Sequence, residues 1–170
     1  MRLIVSDIPE DGLELETDVA VETGENAEPD SAHASLRLSR IGKRVLVDGS
    51  IQISVSMRCS RCLGDFSYPL DIAFQEEYIP AEELDTKGDH ELTGGELNIG
   101  FYRNDEIDTG ELVKEQVLLG VPMKPLCSRD CRGICPECGI NLNEGFCNCS
   151  AEKIDPRLAP LKRFMKSNND

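Results

Sequence analysis

The chain has 170 residues, 39% of them hydrophobic and none of them tryptophan, with a net charge of −14. That length suffices for one sizeable core, or for one domain with a small appendage. The acidity argues against a nonspecific nucleic-acid binder, because the phosphate term is repulsive over most of the surface.

No apolar run approaches about 18 residues, the length that would span a membrane, and MRLIVSDIPEDG at the N-terminus is too short in apolar residues for a signal peptide. The expected location is therefore the reducing cytoplasm, where clustered cysteines more often mean metal than disulfides. The charge is uneven. Residues 1–30 carry −9 and residues 73–118 carry −10, whereas 31–72 and 119–170 carry +3 and +2. All eight cysteines lie in the two basic sections. The acidic sections either keep the protein soluble or meet a basic partner.

Residues 2–8 read as a first strand with Leu3 and Val5 on one side. Leu13, Leu15, Thr17, Val19 and Val21 alternate with Glu14, Glu16, Asp18 and Glu22, the period of a half-buried strand whose acidic face discourages edge pairing. Residues 23–34 are polar, with Gly, Asn and Pro, and read as a loop. Leu36 and Leu38 open a further strand, Gly42-Lys43 is a turn, and 44–58 (RVLVDGSIQISVSMR) alternates again. After CSRCLGD, the residues Phe66, Tyr68, Leu70, Ile72 and Phe74 repeat the pattern, so 44–74 reads as a hairpin with Cys59 and Cys62 at its tip. Pro69 points to an edge strand or a bulge. Residues 75–106 are acidic and turn-rich, with Leu97 and Ile99 as one more short strand.

The clearest helix is 108–120. Asp108 is its N-cap with Glu111 three residues on, Ile107 can staple onto Leu112, and Gly120 and Pro122 end it. Leu112, Val113, Val117 and Leu119 form its apolar stripe. Near the end, Ile154-Asp155-Pro156 opens a short helix lined by Leu158 and Leu161, with Lys162 and Arg163 on its basic side. Pro160 disturbs that helix past its first turn.

The sharpest feature is CSRDCRGICPECGINLNEGFCNC at 127–149, which holds Cys127, Cys131, Cys135, Cys138, Cys147 and Cys149. Thiolate is the ligand that zinc takes at structural sites, and two cysteines two residues apart grip one ion from a tight turn. In Cys135-Pro136-Glu137-Cys138-Gly139, Pro136 fixes one backbone angle and Gly139 lets the chain curl back. Eight cysteines equal two four-thiolate sites, although the single CxxC of Cys59 and Cys62 also reads as ordinary turn cysteines. Spacing leaves two pairings open. Cys135 and Cys138 can join two cysteines of the local cluster and leave two spare. Alternatively the knuckles Cys59/Cys62 and Cys135/Cys138 pair with one another, leaving Cys127, Cys131, Cys147 and Cys149 as the second site. The expected cofactor is structural zinc. An iron–sulfur cluster is a minor alternative, because the spacing fits neither common ferredoxin run.

No nucleophile motif or phosphate-cradling glycine loop is present, and His33 and His90 lie in polar stretches without motif context. The expectation is therefore no enzyme, no catalytic residue and no small-molecule substrate.

Three stretches resemble the YceD family of large ribosomal RNA subunit accumulation proteins: CSRCLGDF (59–66), IDTGELVKEQVLLGVPMKPLC (107–127), and the 127–149 cluster followed by IDPRLAPLKRF (to 164). Together they cover about half of the chain. The resemblance implies a non-enzymatic factor that supports 23S ribosomal RNA accumulation during large-subunit assembly. It also implies a gene often found beside that of a small basic large-subunit protein, which suits the acidic sections.

The reading is then an α+β protein: an antiparallel sheet of about five to seven strands with one main helix over residues 1–122, and a cysteine-rich zinc module with a short terminal helix over 123–170. Its expected partners are a basic large-subunit ribosomal protein, the 23S rRNA precursor, or both. A first rival is a zinc-dependent RNA binder using Arg58, Arg61, Arg129, Arg132, Lys162 and Arg163. A second rival is a thiol-based redox sensor with reactive, low-pKa cysteines that hold no metal.

Overall fold

Alternation of small polar and β-branched residues builds most of this molecule. The computed structural model describes residues 1–23, 28–83 and 99–149. Its strands are β1 (Arg2–Ile4), β2 (Leu13–Val21), β3 (Asp30–Ile41), β4 (Arg44–Arg58), β5 (Asp65–Pro80), β6 (Ile99–Tyr102) and β7 (Glu106–Asp108), followed by helix α1 (Thr109–Gly120). β2 to β5 form an antiparallel meander in the order β2-β3-β4-β5, and β6 adds to β5 in parallel. β1 and β7 make a separate antiparallel pair with Leu3 opposite Ile107. The molecule is α+β, with a mostly antiparallel sheet and one α-helix among the described residues. No helix among them is long and apolar enough to cross a membrane.

One face of the sheet is the core. Along β4, Val45, Val47, Ile51, Ile53 and Val55 point inward and are buried, while Ser50, Gln52, Ser54 and Ser56 face out. Gly49 takes an inward position opposite Phe74, and the Phe74 ring occupies the space that a Cβ at Gly49 would fill, with Cζ only 2.2 Å from the ideal Cβ position. α1 lies over this face against β5, β2, β4 and β1, and buries Leu112, Val113 and Val117. Asp108 caps the helix by accepting from the amides of Gly110 (3.0 Å) and Glu111 (3.2 Å), and Ile107 and Leu112 are both buried in the core.

Several expectations need correction. The first strand stops at Ile4, and Val5–Asp7 forms a 3-10 turn that puts Val5 into the core. β3 begins at Asp30, inside the stretch read as a loop. Its Ala32 and Ala34 are too small to signal a strand, yet both are fully buried and pair with Val19 and Thr17. β5 continues to Pro80, so the acidic 75–80 stretch is strand. Leu119 is not part of the buried stripe: it lies at the margin of the arc set by Leu112, Val113, Val117 and Gly120, and is 79% exposed. β6 is parallel, which the long connection from Ala81 onward allows. Among the described residues Pro69 has no strand on its outer side, because β6 covers only Glu77–Pro80 of β5. Leu97 and the expected helix from Ile154 onward lie outside the described residues.

Candidate metal centres

The β4–β5 hairpin closes on Arg58 opposite Asp65, so Cys59 to Gly64 form its tip. There the Cys59 amide donates to the Gly64 carbonyl (2.9 Å) and the Leu63 amide donates to the Cys59 carbonyl (3.0 Å). Leu63 takes a left-handed φ of 59° to make this turn, and Cys59 is completely buried. After α1, Pro122 and Pro125 carry the chain back to the tip. The Ser60 amide donates to the Pro125 carbonyl (2.8 Å), and the Ile134 amide donates to the Arg61 carbonyl (3.2 Å). Gly133 is needed at this approach: its φ is 76°, and a Cβ there would stand 3.1 Å from the Arg61 oxygen.

These backbone contacts bring Cys127 and Cys131 against Cys59 and Cys62. The four sulfurs lie within 4.8 Å of one another. Cys59 Sγ is 3.7 Å from Cys131 Sγ, and Cys62 Sγ is 3.7 Å from Cys127 Sγ. Those separations are far too long for disulfides, which hold their sulfurs at about 2.05 Å. They match the edge of a tetrahedron: an ion bound at about 2.3 Å from each sulfur spaces them at about 3.8 Å.

Cys135, Cys138, Cys147 and Cys149 form a second group whose sulfurs also lie within 4.8 Å of one another. A knuckle presents the first two, with the Gly139 amide donating to the Cys135 carbonyl (2.9 Å) and the Cys135 amide donating to the Ile140 carbonyl (2.9 Å). Gly139 has a φ of 73°, as its place in the turn requires. Ile134 bridges to Asn141, and the tight turn 141–145 returns the chain toward Cys147.

Neither sequence pairing is complete. Cys135 and Cys138 do join two cysteines of the local cluster, but the remaining two are not spare, and the two knuckles do not pair with each other. The reason lies in backbone bonds that spacing does not encode. Ser60 to Pro125 and Ile134 to Arg61 lay the 125–134 segment across the hairpin tip, so the Cys127/Cys131 pair meets Cys59/Cys62 first.

The electrostatics of both groups call for a cation. Backbone amides of Cys127 and Cys62 pull the Cys59 thiol down to about 6, and those of Cys138 and Glu137 pull Cys135 down to about 7. The crowding then acts on the others: the Cys131 sulfur pushes Cys127 up to about 12, and the Cys138 sulfur pushes Cys149 up to about 12. Each group thus mixes thiols that ionise readily, Cys59 and Cys131 in the first and Cys135 in the second, with neighbours that crowding holds protonated, and a bound divalent ion favours the thiolate form of all of them. The donor set of each group, four sulfurs within 4.8 Å of one another, fits a metal ion and leaves no open position.

Asn143 escapes the sequence reading. Its Nδ2 donates to the Cys131 sulfur (3.3 Å), and its Oδ1 accepts from the Arg132 amide (2.8 Å). It stands in the loop between Cys138 and Cys147 yet supports a sulfur of the other group. The only sequence trace is the Asn-Leu-Asn spacing of an Asx turn: Asn141 Oδ1 accepts from the Asn143 amide (3.1 Å).

The basic residues separate into distinct roles. Arg58 pairs with Asp65 (2.9 Å). Arg61 donates to the carbonyls of Arg129 (3.3 Å) and Cys131 (3.0 Å), which makes it part of the scaffold. Arg132 lies over the Phe146 ring, 5.2 Å from its centroid. Lys162, Arg163 and His90 lie outside the described residues, and His33 is an exposed strand residue whose Nδ1 is 3.0 Å from Asp18.

Comparison with known proteins matches residues 47–165, a span holding all eight cysteines, to the family described as large ribosomal RNA subunit accumulation protein YceD. An uncharacterized protein of Mycobacterium tuberculosis is 29% identical over 161 residues, covering 94% of this chain and 70% of that protein. The uncharacterized protein YlbN of Bacillus subtilis is 30% identical over 129 residues, covering 75% of this chain and 70% of that protein. The Arabidopsis thaliana protein named large ribosomal RNA subunit accumulation protein YCED homolog 1, chloroplastic, is 25% identical over 160 residues, covering 75% of this chain and 46% of that protein. No solved structure matches the chain. With a family match across well over half of its length, the chain belongs to the YceD family of large ribosomal RNA subunit accumulation proteins.

Proposed function

We propose that this protein supports accumulation of the large-subunit 23S ribosomal RNA without catalysing a reaction. It does so by binding a basic ribosomal protein, the rRNA precursor, or both, around a module that two structural zinc ions hold together. The family match over residues 47–165 carries this reading. Zinc suits both cysteine groups because all four donors of each are cysteine sulfurs that lie within 4.8 Å of one another. A closed site of this kind activates no water. Its work is to fix the 125–149 segment on the hairpin tip.

Charge supports a basic partner. The solvent face of the sheet carries Glu14, Glu16, Asp18, Asp48 and Asp71, with Ser35, Ser50 and the cation Arg37 between them, so acids outnumber bases there. The test is deletion of the gene in its own host, with the ratio of 23S to 16S rRNA and the precursor ends measured. The expected result is a deficit of mature 23S rRNA, restored by the wild-type gene but not by one carrying Cys59→Ser with Cys135→Ser. An unchanged ratio in the deletion strain would sink the reading.

A further inference from the structure

We propose that Phe146 and Arg132 form a stacking platform for one unpaired base of single-stranded RNA, an inference that rests on the ribosomal RNA reading above. Phe146 is 84% exposed, and an exposed aromatic ring is the kind of exception that asks for a reason. It is held in place all the same. Cys147, the next residue, belongs to the second cysteine group, and the Arg132 amide is bonded to Asn143, so both members of the pair are anchored in the cysteine module. The guanidinium stands 5.2 Å from the ring centroid and covers one face. Among the described residues no second cation or ring lies over the opposite face, which leaves it to a base, whose stacking on an aromatic side chain needs no particular sequence. Arg132 keeps donors for a phosphate beside the stacked base.

Other exposed apolar residues do not offer this. Met123, Leu119 and Ile41 are aliphatic, and Phe101 has no cation over its ring among the described residues. Among the described residues the surroundings form no broad basic patch. Arg58 is paired with Asp65 and Arg61 is bonded to backbone carbonyls, so among the described residues of this module Lys124, Arg129 and Arg132 remain to meet phosphates. A filled four-thiolate site adds a charge of −2 beside them. Binding through this platform therefore depends on stacking and responds weakly to salt. Three phosphates on a single strand give a slope of about −2.1 in log affinity against log salt, whereas an electrostatic groove gives a much steeper one.

The chain contains no tryptophan, so Phe146→Trp introduces a unique fluorophore at the site. The zinc-loaded full chain carrying this change is titrated with unstructured RNA of about eight nucleotides, the size of a single-strand site, and with a duplex of the same sequence. The expected result is quenching of the indole by the single strand and none by the duplex. In parallel, Phe146→Ala weakens binding of a labelled single strand roughly tenfold, the loss expected of one stacked base. Arg132→Gln reduces the salt slope by about 0.7. Zinc content equal to that of the wild type shows that each variant keeps its fold. Single-strand binding that Phe146→Ala leaves unchanged, or that leaves the indole unquenched, overturns the platform. A wild-type chain that binds no RNA at low salt overturns it as well. In either case the rRNA phenotype of the deletion strain decides the broader reading separately.

Discussion

Asn143 donates a hydrogen bond from Nδ2 to the sulfur of Cys131 at 3.3 Å, reaching from the loop of one cysteine group to a ligand of the other. Donors to a coordinating thiolate stabilise its negative charge, and loss of such outer contacts typically costs about 10- to 100-fold in metal affinity. Asn143→Ala is expected to weaken the Cys59/Cys62/Cys127/Cys131 site by that factor, read by competition with a chromophoric chelator. Asn143→Asp should weaken it further, because the carboxylate loses the donor and adds a negative charge beside the thiolates. Equal chelator curves for wild type and both variants would show that the contact has no role in holding metal.

The two cysteine groups predict a stoichiometry. Elemental analysis of protein purified without a metal-binding tag should give two zinc ions per chain. Cys59→Ser and Cys135→Ser should each give one, and the double variant none. The groups also differ in what they hold. The first joins the β4–β5 tip to the segment after α1, so its loss should deprotect the Ser60 and Ile134 amides, whose bonds to Pro125 and Arg61 cross that junction. The second closes on residues 135–149 alone, and its loss should leave those two amides protected in hydrogen exchange. A metal-free preparation with eight freely reactive thiols would instead support a redox sensor.

Much of this was legible in the sequence, for reasons that particular residues make clear. The strands around Ile51, Ile53 and Val55 announce themselves because their neighbours are small and polar, which leaves one period and no competing one. Asp108 announces the helix because a carboxylate before an apolar stripe satisfies amides that are otherwise orphaned. The start of β3 stayed hidden because Ala32 and Ala34 carry too little apolar surface to mark a face, although burial of both is complete. The pairing of the cysteines stayed hidden for a different reason. Local spacing governs the Cys135–Cys138 knuckle, but Cys127 finds Cys62 through backbone bonds between segments about 65 residues apart. Asn143 belongs to the same class, since an amide donor to sulfur leaves no periodic mark.

Gly49 and Phe74 make a separate test of the core. A methyl group at Gly49 would meet the Phe74 ring at 2.2 Å and Leu36 Cδ2 at 3.0 Å, so the ring must leave its place on the sheet. Gly49→Ala is expected to destabilise by about 1–3 kcal/mol, the usual cost of overpacking. Phe74→Leu, which removes the clashing ring edge, should recover part of that loss in the double variant. A double-mutant cycle in urea reads the coupling. Additive effects of the two substitutions would mean that the ring does not rest on Gly49.

The helix cap gives the pH prediction. Burial raises the pKa of Asp108, but the Met1 amine and the amides of Glu111 and Gly110 outweigh it and hold the carboxyl below its ordinary value. A carboxyl depressed on folding contributes stability that is fully present above its unfolded pKa, about 3.9, and is lost as pH falls through the folded value. Asp108→Asn keeps an acceptor for the helix amides and loses the charge that meets Met1 (3.2 Å) and Arg2 (3.7 Å). The wild type should therefore exceed this variant in stability at neutral pH, and the gap should close as pH falls below about 4. Acid also displaces metal from thiolates, but that loss is common to both proteins and drops out of the difference between their urea midpoints. Equal stability of the two proteins at neutral pH would place the role of Asp108 in capping alone, with no contribution from its charge.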